Sequence, residues 1–234
     1  MEQPKSAMKR YIEYDTEYVY DTGKVVRTKT GFGINLGNKK MGPIPSFSVT
    51  PIRTCNRAAP CTVIPDGKVL SPCYAHRMVV MYPEIRDMWH INTELIINGA
   101  LDEFVNELSD VIRAYKFDEF RFHVGGDYVN ADYFKATCRI ADICTDCKFF
   151  TFTKKFDIIE QFGDLIPSNY NVVLSAWGDF QPSDKLKDLY AVSYVVDPKH
   201  GLTAPNDAIP CEGECYKCRH CITARQGSVF FTIH

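Results

Sequence analysis

Apolar residues recur along this chain at two periods, and the two alternate. Leu101, Phe104, Val105, Leu108, Val111, Ile112 and Tyr115 stand at i, i+3, i+4, i+7, i+10, i+11 and i+14, one stripe of a helix. Glu119-Phe120-Arg121-Phe122-His123-Val124 then alternates with the period of a strand and stops at Gly125-Gly126-Asp127. Residues 132–144 return to helical spacing, with Phe134, Cys138 and Ala141 on one face. Further strands are predicted at 149–153, 171–177, 190–196 and 228–234, with short helical pieces at 158–162 and 185–189. Upstream, the β-branched run that begins at Ser46 predicts a strand, and residues 75–97 predict a helix broken near Pro83.

Strands that alternate with helices imply a parallel sheet with right-handed crossovers. Counting the run before Cys55 gives six strands. A complete eight-fold barrel takes about 250 residues. The expected fold is therefore α/β: a partial (β/α)6 TIM-like barrel, or an open sheet, over residues 46–234. Residues 1–45 read as an appendage. Residues 17–20 and 25–28 flank a turn as a β-hairpin, and Gly31, Gly33, Gly37, Gly42, Pro43 and Pro45 mark an irregular connection. This hairpin is expected to cover one end of the core. The alternative use is a partner or nucleic-acid contact built from Tyr11, Tyr14 and Tyr18 with Lys5, Lys9 and Arg10.

One strand face is repeatedly polar near the strand ends. Arg121 pairs with His123, Thr151 with Thr153, Ser193 with Asp197, and Thr232 with His234. Parallel strands are ordinarily apolar on both faces, because both are covered. The pattern predicts a hydrated cavity lined by His123, Thr153, Ser175 and His234.

Composition narrows the function classes. The 234 residues are 45% hydrophobic, enough for one sizeable core, and the net charge of −2 gives no global pull toward nucleic acid or membrane. No window approaches the about 18 apolar residues of a membrane span, and Met1–Lys9 is too polar to begin a signal peptide. A cytosolic setting is expected, and there ten cysteines argue for metal ligation rather than disulfides.

Those cysteines fall into three sets. Cys55, Cys61 and Cys73 follow the first strand on one loop, and three thiolates there would leave one iron of a 4Fe–4S cluster open. Cys211, Cys215, Cys218 and Cys221 stand at CxxxCxxCxxC spacing among Glu212, Glu214, Lys217 and Arg219. Four cysteines so close, interspersed with charges, suit a metal site rather than a core. They could close a 4Fe–4S cluster or a structural zinc site, with His220 as a substitute donor in the zinc case. Cys138, Cys144 and Cys147 are expected to be structural. Gly125-Gly126-Asp127 lets backbone approach a ligand, with Asp127 holding an amino or hydroxyl group; the plainer reading is a turn capped by Asp127.

The blocks around Cys55, Cys61 and Cys73-Tyr74-Ala75, Phe120–Tyr128, Phe150–Lys154, Ile166-Pro167-Ser168-Asn169, the clustered tail cysteines and Phe231-Thr232-Ile233-His234 resemble the phage gene product 88 family. That resemblance implies a bacteriophage protein working in the host cytoplasm and implies no established reaction. The layout is also similar to radical S-adenosylmethionine enzymes, which place three cluster cysteines after the first strand and a glycine-glycine-acid motif after the second. By position, that similarity implies Cys55, Cys61 and Cys73 as cluster ligands and Gly125, Gly126 and Asp127 as the S-adenosylmethionine motif. His123, Asp127 and Lys154 would then face the open iron as catalytic groups. The departure is that the first loop lacks CxxxCxxC spacing.

Three functions compete on this reading. The first is an iron–sulfur enzyme acting on a small-molecule substrate. The second is a non-catalytic iron–sulfur protein that binds a host protein. The third is a zinc-stapled nucleic-acid or host-protein module built on the tail cysteines. The expectation taken forward is a 4Fe–4S protein without membrane association, its catalysis open.

Overall fold

The computed structural model describes residues 10–14, 17–21, 24–66 and 71–233, with side chains from residue 24 onward. The side chains of Tyr11, Tyr14 and Tyr18, and Lys5, Lys9 and His234 altogether, lie outside the described residues.

One sheet of eleven strands runs through the described residues. Its first strands are antiparallel: β1 (Arg10–Tyr14), β2 (Glu17–Asp21), β3 (Val25–Arg27) and β4 (Gly33–Asn35). β4 pairs antiparallel with β5 (Ser46–Phe47), placing Ile34 opposite Phe47. From β5 every pairing is parallel, through β6 (Glu119–Phe122), β7 (Lys148–Thr153), β8 (Tyr170–Ser175) and β9 (Ala191–Val196). The short β10 (Ile209–Pro210) lies outside β11 (Ser228–Thr232), which pairs with β9. The predicted hairpin over 17–28 is present as the β2–β3 pairing. It lengthens the edge of the common sheet, and β4 lies inside the stretch that reads as irregular connection.

Strand order follows chain order from β5 to β9, so every crossover steps the same way. Most of the crossover helices consequently share one core. α1 (Tyr74–Met81), α2 (Pro83–Ile97) and α3 (Leu101–Tyr115) connect β5 to β6, with Pro83 opening α2 as a first-turn proline. α4 (Ala131–Ile143), α5 (Phe156–Phe162) and α6 (Asp184–Leu189) make the later crossovers. The predicted stripe of α3 is buried as Phe104, Val105, Leu108, Val111 and Ile112. Phe104 meets Phe32, Phe47 and Tyr133 at ring-centroid distances of 5.3, 4.8 and 5.4 Å. The same core takes Phe120, Phe122, Phe149 and Tyr170 from the strands, each worth about 1.5–3 kcal/mol by burial. Cys138, Cys144 and Cys147 are buried in it, as their structural reading requires.

The second face is covered differently. Met41 and Ile44 from the β4–β5 connection and Ile222 from α8 (His220–Thr223) pack on Phe150, with Phe152, Val124 and Cys215 around them. α7 (Cys215–Cys218) precedes α8, and the left-handed Arg219 joins the two.

His123 is a correction to the alternation. It adopts φ +61°, which turns its side chain away from the face of Arg121. Its ring nitrogens meet Thr151 Oγ1 at 3.0 Å and Tyr133 Oη at 3.1 Å, inside the helix-covered core. The predicted hydrated cavity therefore loses both His123 and Thr153, which lies on the same side as Thr151.

Candidate metal centres

The first cysteine loop is held by the carboxyl ends of β5, β6 and β7. Past β5, the Thr50 N–H donates to Thr93 Oγ1 of α2 at 2.8 Å, and Thr54 Oγ1 donates back to the Thr50 carbonyl at 2.9 Å. Ile52 inside this turn has φ +66°, a strained conformation for a β-branched residue, just before Cys55. Cys61 sits in a 3-10 turn, Pro60–Thr62, and Cys73 stands at the N-cap position of α1. Asn56 Nδ2 donates to the Lys154 carbonyl at 3.2 Å, and the Tyr74 hydroxyl donates to the Val124 carbonyl. The loop is thus laced to the ends of the next two strands.

Gly125 and Gly126 are explained by that lacing. Ser48 Oγ accepts from the N–H groups of Val124 and Gly125, and the Val49 N–H donates to the Gly125 carbonyl. Gly126 has φ +77°, and a Cβ there would stand 2.5 Å from the Val49 carbonyl oxygen. Asp127 is buried and engaged: its carboxylate accepts from the Tyr128 N–H at 2.8 Å, Thr153 Oγ1 at 2.6 Å and the Lys154 N–H at 2.7 Å. Those bonds close the β6 loop onto the end of β7. Lys154 directs its ammonium to Ser175 Oγ at 2.6 Å, and the Trp177 ring lies beneath it at 5.9 Å. His123 stands apart from this group.

All ten cysteines are free thiols. Burial pushes Cys55 up to about 12, helped by the Asp127 carboxylate and by Cys73 and Cys61. Burial also raises Cys61, which Lys154 opposes. In the tail, burial raises Cys215 against the pull of Arg121, and it pushes Cys221 up to about 12 with Cys211 and Cys215 adding to it. Cys73 and Cys61 thus add to the rise at Cys55, and Cys211 adds to the rise at both Cys215 and Cys221. Among the described residues, no three His, Cys, Asp or Glu side chains converge to hold a metal ion. A lone zinc ion would need its sulfur donors about 2.3 Å from one point. Only the donor type, free soft thiols, suits an iron–sulfur cluster or zinc. Because metal binds thiolates, loading would release protons.

Sequence reasoning on chemistry passed over Arg121. It lies over the Phe152 ring at 4.9 Å and the Phe150 ring at 5.7 Å, between Tyr74 and the tail. A charged residue inside an aromatic strand was the available signal.

Burial, aided by the nearby Arg121 charge, pulls His123 down from 6.5 to about 3. The unfolded chain takes up that proton first as pH falls. Stability from this group is complete above about 6.5 and is lost as pH drops toward 3, at up to about 1.4 kcal/mol per pH unit. Urea midpoints between pH 7 and 4 should fall more steeply for the native chain than for His123→Gln. Parallel slopes would refute the burial of a neutral ring.

No helix among the described residues is long and apolar enough to cross a membrane. No curated protein and no solved structure matches the chain. The family described as gene product 88 matches residues 23–227, a span that holds both cysteine groups and every parallel strand up to β10. On that match, the chain belongs to the phage gene product 88 family.

Proposed function

We propose that this phage protein binds a 4Fe–4S cluster through Cys55, Cys61 and Cys73, at the mouth of a partial (β/α)6 barrel. The observation that carries the reading is the place of those thiols. They share one electrostatic group with Asp127 and Lys154 at the carboxyl ends of parallel strands, where α/β folds gather their ligands. The one-directional strand order, with most crossover helices sharing one core, also suits a partial barrel. When bound, such a cluster supplies one-electron chemistry. The chain supplies the rest: Lys154 offers a cation beside Cys61, Asp127 ties two strand ends together, and the loop carries the cysteines. Of the groups expected to be catalytic, Lys154 fits this site best. Asp127 is committed to closing the loop, and His123 is committed to the core.

Anaerobic purification should yield brown protein with iron and acid-labile sulfide in equal amounts, and Cys73→Ala should lose them. Well-folded, pale, metal-poor protein would overturn the reading. Reduced protein mixed with S-adenosylmethionine then separates two roles. Methionine and deoxyadenosine in equal amounts mark an enzyme, and no cleavage marks an iron–sulfur protein that serves binding to a host protein or structure.

A further inference from the structure

The second face of the sheet is closed at one end of its strands and open at the other. Near the strand starts the tail covers it. Ile222 of α8 packs on Phe150, and Asn171 Nδ2 of β8 donates to the Cys221 and Ala224 carbonyls at 2.9 and 2.7 Å. Parallel register then sets Arg121 beside Phe150, Phe152 beside Val173, Ser175 beside Ser193 and Val195 beside Phe231. Toward the carboxyl ends burial relaxes on four strands together. Phe152, Ser175, Val195 and Phe231 are half-buried, whereas Phe150, Val173, Ser193 and Val229, each two residues earlier, are buried. Parallel sheets are ordinarily covered on both faces, and an opening at the carboxyl ends is where such folds take ligands.

Cations and rings alternate across this open half. The Arg121 guanidinium lies 4.9 Å from the Phe152 ring centre, the Phe152 and Phe231 rings meet edge to face at 5.8 Å, and the Lys40 ammonium lies 5.3 Å from the Phe231 ring. Lys154, past the end of β7, reaches Ser175 Oγ at 2.6 Å, with the Trp177 ring 5.9 Å from its ammonium. Among the described residues none of these three cations forms an ion pair. Arg121 donates to the His123 carbonyl at 3.3 Å and meets the Met41 sulfur at 3.6 Å, and its Nε is without a partner. The carboxylates at the neighbouring strand ends are engaged elsewhere. Asp127 accepts from Thr153 Oγ1 and from the N–H groups of Tyr128 and Lys154, and Asp197 accepts from the Lys199 N–H and meets His200 Nδ1 at 2.6 Å.

Cations held partly out of water without a counter-charge favour an anion, and several on one face favour a multiply charged one. A phosphate group carries about −1.5 to −2 charge and suits arginine and lysine together. The half-buried rings offer flat apolar surface to a planar ring. Nucleoside phosphates carry both parts. We infer that the open half of this face binds a free nucleoside phosphate, with Arg121, Lys154 and Lys40 supplying the charge for its phosphate and Phe152, Phe231 and Trp177 bordering its base. The net charge of −2 gives no long-range pull toward a nucleic-acid strand, which favours the free nucleotide. The site adjoins the first cysteine loop, because Asn56 donates to the Lys154 carbonyl, and it does not depend on a cluster.

The test is equilibrium dialysis of the full chain, purified without oxygen, against AMP, GMP, CMP and UMP, their unphosphorylated nucleosides and a short single-stranded oligonucleotide, with iron measured in each preparation. At least one nucleotide should bind saturably, more weakly as salt rises, and at least about 10-fold tighter than its nucleoside. Arg121→Gln and Lys154→Gln should each weaken that binding by about 10- to 100-fold, the worth of a hydrogen bond to a charged group. Lys40→Gln should show a smaller loss, since Lys40 is exposed. Lys187→Gln should bind as the native chain does, because Lys187 pairs with Asp184 on α6, which packs by Leu186 in the opposite core. Thermal unfolding checks the fold of each variant. If Arg121→Gln does not fold, Lys154→Gln decides, since the Lys154 side chain is half-exposed. Absence of saturable binding by every nucleotide overturns the inference. So does a nucleoside that binds as tightly as its phosphate, native affinity in Lys154→Gln, or tighter binding of the oligonucleotide than of any nucleotide. Nucleotide binding by an iron-free protein counts only against the proposed function, and iron without nucleotide binding counts only against this inference.

Discussion

Gly126→Ala should destabilise the metal-free protein by about 3–5 kcal/mol, the sum of a left-handed backbone strain and an overpacked contact. The added Cβ would stand 2.5 Å from the Val49 carbonyl oxygen, 2.6 Å from Val49 Cγ2 and 2.7 Å from Thr54 Oγ1. The first of these is backbone and cannot rotate away. At about 2–4 °C per kcal/mol for a chain of this size, thermal unfolding should come roughly 10 °C earlier. Gly31→Ala is the control. Its φ of +109° carries strain, but nothing lies within 4 Å of its Cβ, so its loss should stay near that of strain alone. Gly125→Ala should fall between, since its Cβ would meet the Trp89 ring at 2.1 Å and that side chain has some freedom to shift. The series separates two meanings of the glycine pair. If the glycines exist only to admit a ligand, Gly126→Ala leaves apo stability unchanged and weakens binding alone. A large apo loss means that the pair is required for the β6 exit to lie flat on the cysteine loop.

Much of the fold is legible from periodicity. The stripe of α3 and the Phe120 and Phe122 face of β6 are local patterns, and each buries the face it predicts, whereas β7 is covered on both faces, with Thr151 and Thr153 as buried as Phe150. The position of β4 is not local. Gly33–Asn35 becomes a strand because Ile34 pairs with Phe47 across a connection that reads as glycine and proline punctuation. His123 fails for a different reason. Alternation assumes extended backbone, and the left-handed turn at His123 reverses its side chain without any mark in composition. The cysteine groups are visible in the sequence as spacing, but no three of their side chains converge among the described residues. The surroundings of Arg121 could not be read either, because they depend on the tail folding back over β6 and β7, which brings Cys215 and Ile222 onto the Phe150 side of the sheet.

The cysteine loop also depends on a side chain with no chemistry of its own, and Asn92→Ala should cost about 3–5 kcal/mol by orphaning buried backbone groups. Asn92 is fully buried in α2. Its Oδ1 accepts from the Gly33 N–H at 2.7 Å, and its Nδ2 donates to the Gly33 and Ser48 carbonyls, both at 2.9 Å. One amide therefore ties α2 to β4 and to the exit of β5 at once. One residue further on, Thr93 holds Thr50 at the start of the turn that carries Cys55. Alanine would leave two carbonyls and one N–H unpaired where water has little access, and leucine would fill the space but satisfy none of them. Urea unfolding of both variants should show losses of similar size. A leucine variant as stable as the native protein would mean that packing, rather than hydrogen bonding, holds α2 to the sheet. Where the bonds do matter and Cys55 is a ligand as proposed, the anaerobic metal content of Asn92→Ala should fall as well, because α2 braces the turn that carries Cys55.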